Sequence, residues 1–128
     1  MESFKDLLPR HKTDDDRVEM IKKMDRDKIL PLLPSLLEWI QDMNWPVAPS
    51  ILKLLLTFPQ EIVPHVQDVL YSDDDNWKWF ILHFLVIELP VDSRVQFKEY
   101  LTRVSETPTQ NELREELDEI AKEILETI

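Results

Sequence analysis

Apolar positions along this chain recur at spacings of three and four, the pattern of helices that each bury one stripe. Val18, Ile21 and Met24, with Met20, form the first stripe. Its helix is capped within Thr13-Asp14-Asp15-Asp16, where Thr13 and Asp16 have capping-box spacing. Ile29, Leu32, Leu33, Leu36, Leu37 and Ile40 form a second stripe, in a helix opened by Asp27 and running to about Gln41. Pro31 suits its first turn, whereas Pro34 either kinks the helix or delays its start. Val47, Ile51, Leu54, Leu55 and Phe58 follow, stopped by Pro59, and then Ile62, Val63, Val66, Val69 and Leu70. The segment from Trp77 to Leu89 is apolar nearly all round, which predicts a central buried helix. Pro90 starts another, with Val91, Val95, Leu101 and Val104 inward and Phe97 and Tyr100 beside them. A last helix turns Leu113, Leu117, Ile120, Ala121, Ile124 and Ile128 inward. Two capping boxes are open to it, Thr107 with Pro108 and Gln110, or Thr109 with Glu112.

The polar joints between these stripes repeat. Asp42-Met43-Asn44-Trp45 returns as Asp74-Asp75-Asn76-Trp77, 32 residues later. The expected caps of every second helix, Asp14, Asn44, Asn76 and Thr107, are 30, 32 and 31 residues apart. Helix pairs at that period predict an all-α fold, a HEAT-like α-solenoid (an α-α superhelix) of about four pairs, as one domain over residues 1–128. The competing architecture is an irregular helical bundle with evenly sized helices. Asn44 is read as a helix cap, Pro46 as a first-turn residue, and Trp45 and Trp77 as equivalent anchors of the joint.

Gln41-Asp42-Met43-Asn44-Trp45-Pro46-Val47-Ala48 resembles the signature of a small bacterial family classed as a domain of unknown function. Ser72-Asp73-Asp74-Asp75-Asn76-Trp77-Lys78, and Thr107-Pro108-Thr109 ahead of an acidic helix, match the same pattern, so the resemblance spans nearly the whole chain. It implies a HEAT-like helical fold and brings no established activity, substrate or catalytic residue. The joints are also similar to those of phycobilisome-lyase-type HEAT repeats, a likeness of architecture alone.

Composition narrows the chemistry. The 128 residues include no cysteine, which removes disulfides, thiolate zinc sites and cysteine nucleophiles. They include no glycine, so phosphate-cradling loops, Rossmann turns, nucleophile elbows and EF-hand loops cannot form in their usual way, and tight hairpins lose their preferred residue. Net charge is −11, which disfavours nucleic acid and anionic lipid and favours a basic protein partner. From Glu106 to Ile128 eight acidic residues face only Arg114 and Lys122, a polar outer surface suited to the end of a stack. The first ten residues lack an apolar signal core, and no apolar run approaches the roughly 20 residues a membrane span needs. A soluble cytoplasmic protein, monomeric or weakly dimeric, is expected.

No residue set predicts catalysis, metal binding or a cofactor. Asp73-Asp74-Asp75 and Asp14-Asp15-Asp16 read as helix caps, lacking the spaced ligands of a calcium loop. His83, within Leu82 to Val86, reads as a hydrogen-bonded core histidine. Glu38 and Asp42, one helical turn apart beside tryptophan, are the nearest approach to an acid/base pair. Trp39 and Trp79 have no tryptophan at the equivalent repeat position, so they and Met43 are the candidate surface anchors, with Asp42 and Trp45 of the adjoining joint. The expected function is a non-enzymatic protein-binding module, in sharper form an immunity-type protein neutralising a basic toxin. The alternative is a HEAT-like enzyme or lyase-type protein with a carboxylate-lined cleft.

Overall fold

The computed structural model of the chain describes residues 7–128, and the stretch expected to lack an apolar signal core lies partly outside them, at residues 1–6. Every regular element among the described residues is helical, with no strand. None is long and apolar enough to cross a membrane.

Helix α1 (Asp15–Lys22) buries Val18 and Ile21, while Met20 is 56% exposed and outside the stripe. Its N-cap is Asp14, but no capping box forms with Thr13. The Asp14 carboxylate instead accepts from the Arg10 backbone N–H and Nε, both at 2.8 Å, and from Nη2 at 3.1 Å. The Arg10 guanidinium holds the Asp14 carboxyl well below the usual carboxylate range.

The second stripe is helical throughout but not one helix. α2 (Arg26–Ile29) passes into a 3-10 turn at Leu30–Leu32, then α3 (Leu33–Leu37) and a second 3-10 turn at Glu38–Ile40. Pro31 and Pro34 each stand in the first two positions of a new segment, where a missing N–H costs nothing. Restarting at each proline keeps Leu32, Leu33, Leu36, Leu37 and Ile40 all buried. α4 (Ala48–Leu55) and α5 (Val63–Leu70) follow, also with proline at their starts.

The segment expected as one central helix is α6 (Asp75–Phe80), a wider π turn at Ile81–Leu85 and a 3-10 turn at Val86–Glu88. It is not buried all round. Ile81, Leu82, Leu85 and Val86 face the core, Trp77, Trp79, Phe80, His83 and Ile87 are half-buried, and Phe84 is exposed.

α7 (Val91–Arg94) gives way to a 3-10 turn at Val95–Phe97 and then α8 (Lys98–Glu106). Three residues per turn rotate the stripe relative to a continuous α-helix. Phe97, Tyr100, Leu101 and Val104 are therefore buried, whereas Val91 and Val95, expected inward, are exposed.

The final expected helix is also divided, into α9 (Gln110–Arg114) and α10 (Leu117–Leu125), by Glu116 in the left-handed region at φ 59°. That break turns Leu113 out to solvent, and Ile128 lies beyond α10 and is exposed. Of the two capping boxes, Thr109 with Glu112 forms.

One apolar core runs from Val18 to Ile124. Within it α1 packs on α4, α3 on α4 and α5, α5 on α6, the π turn on α10, and α8 along α10.

Candidate functional site

The joint between the 3-10 turn at Glu38–Ile40 and α4 is built by Asp42, not by Asn44. Asp42 Oδ1 accepts from the Asn44 backbone N–H at 2.8 Å and the Asp42 carbonyl accepts from the Trp45 N–H at 3.1 Å. Trp45 O then accepts from Ala48 N–H at 3.0 Å, and Val47, at the N-cap position of α4, donates its N–H to Lys12 O at 3.0 Å. Asn44 is left exposed. At the second copy of the motif Asp74 is the N-cap, its Oδ1 accepting from Trp77 N–H at 3.0 Å. At this second copy the cap is two residues before the expected Asn76, with a short oxygen acceptor of the same kind, whereas α4 has no side-chain cap and Asp42 closes the turn ahead of it.

This turn presents Trp39 and Trp45 edge to face, with ring centroids 6.0 Å apart at 69°. Both are half-buried and packed against the core, as is Met43. The Lys12 ammonium lies 5.2 Å from the Trp45 ring centroid, within cation–π range. An open groove of about 340 Å³ is lined by Glu38, Trp39, Gln41 and Trp45.

Glu38 also borders a second concavity, about 170 Å³, lined by apolar Pro34, Leu37, Val69 and Trp77 and by polar His65, Asp68 and Ser72. Trp77 Nε1 is buried without a hydrogen-bond partner among the described residues. Neither concavity has a lysine or arginine in its wall. Glu38, Asp42 and Asp68 take part in no ion pair among the described residues. Asp68 and Ser72 escaped sequence reasoning because they come from α5 and the turn after it, some 30 residues along the chain. A signal existed: Asp68 stands 30 residues after Glu38, as Pro64 does after Pro34.

Trp79 does not join this group. Its ring neighbours are Phe80 at 5.2 Å, His83 at 4.0 Å and Phe84 at 6.3 Å, a separate aromatic cluster on the π turn. His83 is not the hydrogen-bonded core residue expected. It is half-buried, stacked on Trp79 at 28°, and forms no hydrogen bond among the described residues. Burial pushes its pKa down, opposed by the Glu123 and Glu116 carboxylates.

The acidic run at 73–75 is used locally: Asp74 caps α6, and Asp75 pairs at 3.0 Å with Lys78, whose side chain is 8% exposed. No group of three or more His, Asp or Glu among the described residues is placed to hold a metal ion.

A family model described as a domain of unknown function, DUF5071, matches residues 7–125. No curated protein matches the chain.

Proposed function

The chain belongs to the DUF5071 family, a domain of unknown function, and we propose that it works as a non-enzymatic protein-binding module in the cytoplasm. The observation that carries this reading is the Trp39–Trp45 pair, two large rings set edge to face along an open groove rather than closed inside the core. Half-buried tryptophans held by a rigid turn lose little entropy on docking and supply much of the energy of protein interfaces.

The scaffold we propose beneath them is a HEAT-like stack of helix pairs. Hydrogen bonds that cross about one repeat support it: Arg26 Nη1 to Thr57 O at 3.0 Å, Ser93 Oγ to Pro59 O at 2.8 Å and Arg94 Nη2 to Thr127 O at 3.4 Å. The packing of α1 on α4 and of α3 on α5 has the same spacing. A basic partner fits a net charge of −11, and an immunity-type protein blocking a basic toxin is the specific role this charge and size suit.

Affinity capture from the native host tests the reading, using the wild-type chain, Trp39→Ala, and Tyr71→Ala as a control at an exposed ring outside the groove. One protein recovered in near-equal amount by wild type and Tyr71→Ala, and reduced about tenfold by Trp39→Ala, is the expected result. Recovery of the same proteins by all three would sink the groove as the binding surface.

A further inference from the structure

We infer that the two concavities meeting at Glu38 form one furrow that takes a cationic amphipathic helix of a partner protein. The inference rests on the protein-binding reading above and adds the chemistry of what docks.

Three observations set that chemistry. The first is charge: Glu38 and Asp68 line the furrow, Asp42 builds the adjoining turn, none is ion-paired among the described residues, and no lysine or arginine lies in either wall. A cation arriving here meets carboxylates that no basic side chain among the described residues already pairs. The second is shape. The cavity over Leu37, Val69 and Trp77 is about 170 Å³, and a hollow of roughly 150 Å³ can hold a benzene-sized group. One Leu, Met or Phe side chain is therefore the right size. The third is the aromatic wall. Lys12 already sits 5.2 Å from the centroid of Trp45, so this joint accepts an ammonium on indole, and Trp39 offers a second ring beside Glu38.

Because Glu38 is a wall of both concavities, the apolar and cationic side chains of the ligand must stand close together on one face. Residues three or four apart on a helix do this. An added strand is the weaker alternative, since this chain has no strand among its described residues and hence no sheet edge to extend. In the docked state the apolar side chain enters the cavity over Leu37 and Val69, and the cationic one lies against Glu38 and the ring of Trp39.

The test uses the purified full chain and a labelled helical Leu/Lys peptide of about 18 residues, followed by fluorescence anisotropy. Two further probes are a Leu/Glu peptide and a Ser/Lys peptide of the same positive charge. The chain variants are Glu38→Lys/Asp68→Lys, Trp39→Ala, and Glu119→Lys/Glu123→Lys as a control of equal net charge change on α10. The Leu/Lys peptide should bind, with about tenfold weaker affinity for both furrow variants and a change under about threefold for the control. The Ser/Lys peptide should bind about tenfold more weakly than Leu/Lys, and Leu/Glu not at all.

Should Trp39→Ala fail to fold, the exposed double substitution decides alone. Equal losses in both double variants would mean attraction by net charge only and overturn the inference. Loss confined to the α10 control would move cation recognition to that helix, overturning the furrow while leaving the protein-binding proposal intact. No binding of Leu/Lys, or equal binding of Leu/Glu, also overturns it. Host capture that depends on Trp39 would then still support a protein partner of different chemistry.

Discussion

Arg103 grips Glu112 with two parallel hydrogen bonds, Nη1 to Oε1 at 2.6 Å and Nη2 to Oε2 at 2.7 Å, tying α8 to the start of α9. The two partners sit in different surroundings: the Glu112 side chain is 5% exposed and the Arg103 side chain 45%. Loss of Glu112 lets the guanidinium hydrate, whereas loss of Arg103 leaves a buried carboxylate with only the Thr109 N–H, at 2.8 Å, to satisfy it. Arg103→Ala is therefore expected to cost about 2 kcal/mol. Arg103→Lys should recover less than half of that, because an ammonium cannot reproduce the fork. Urea unfolding measures both, and a cost for Arg103→Ala below about 0.5 kcal/mol would show the pair to be an ordinary surface contact.

The same carboxylate predicts the shape of acid unfolding. Burial works against its ionisation, but the Arg103 guanidinium and the Thr109 N–H outweigh it and hold Glu112 below its ordinary value of 4.5. A depressed folded pKa means that the stability it gives is present above pH 4.5 and is lost as pH falls towards the folded value. Glu112→Gln should flatten the fall of Tm with pH below that point relative to wild type. Parallel curves for the two proteins would remove Glu112 from the acid response.

The stripes at 29–40, 47–58 and 62–70 were legible because their prolines fall at segment starts and leave the register intact. Val91, Val95 and Leu113 were not, since each lies before or at a local change of winding that apolar spacing cannot report: the 3-10 turn at Val95–Phe97 for the two valines and Glu116 for Leu113. The candidate site was half legible. Trp39 and Trp45 are close in sequence and line or adjoin the same groove, whereas Asp68 and Trp77 border the second concavity from about 30 residues further along the chain. Trp79 was singled out because it lacks a tryptophan 32 residues away, a signal that says nothing of which surface it faces; it lies with Phe80, His83 and Phe84, apart from Trp39 and Trp45.

Tyr100 is 3% exposed, and its hydroxyl has no hydrogen-bond partner among the described residues. Burial, reinforced by the Glu112 carboxylate and opposed by Arg103, pushes the phenol above its ordinary value of 10.0. The folded form thus keeps its proton where the unfolded one loses it, so stability is intact below pH 10.0 and falls as pH rises beyond it. Tyr100→Phe removes an orphaned donor and should be neutral or up to about 1 kcal/mol stabilising near neutral pH. It should also flatten the alkaline fall in Tm. A loss above about 1 kcal/mol near neutral pH would mean that the hydroxyl has a partner.

Ser93 is fully buried and donates its Oγ–H to the carbonyl of Pro59 at 2.8 Å, 34 residues away in sequence. Nearby, Gln96 Nε2 donates to Gln60 Oε1 at 2.9 Å between two exposed side chains. The bonds link the same neighbouring segments, and burial separates their worth. Ser93→Ala removes a fully buried hydroxyl and leaves the half-buried Pro59 carbonyl without its donor, and should cost about 1–2 kcal/mol, while Gln96→Ala should stay within about 0.5 kcal/mol. Equal costs for the two in urea unfolding would contradict this assignment.

Glu116 is the one residue with positive φ among those described, at φ 59° and ψ 30°. For an L-residue with a Cβ this conformation costs roughly 1–2 kcal/mol, and in this chain no glycine relieves it. The conformation persists because the flanking turns fix it: Glu116 donates its N–H to Leu113 O at 3.1 Å, and Leu117, Ile120, Ala121 and Ile124 must all reach the core. Glu116→Gly removes the steric cost but adds freedom to the unfolded chain, so the net gain should be about 1 kcal/mol. At this chain length that is a rise in Tm of about 4 °C. Asn tolerates the left-handed region better than Glu, and a β-branched side chain does not. The expected order of Tm is therefore Gly, Asn, Glu, Val from highest to lowest. The Asn variant separates the backbone effect from loss of charge, because it removes the same carboxylate as Gly. A Gly variant less stable than wild type, with Val unchanged, would mean that residue 116 does not hold this conformation in solution, and that α9 and α10 join as the single helix their spacing predicts.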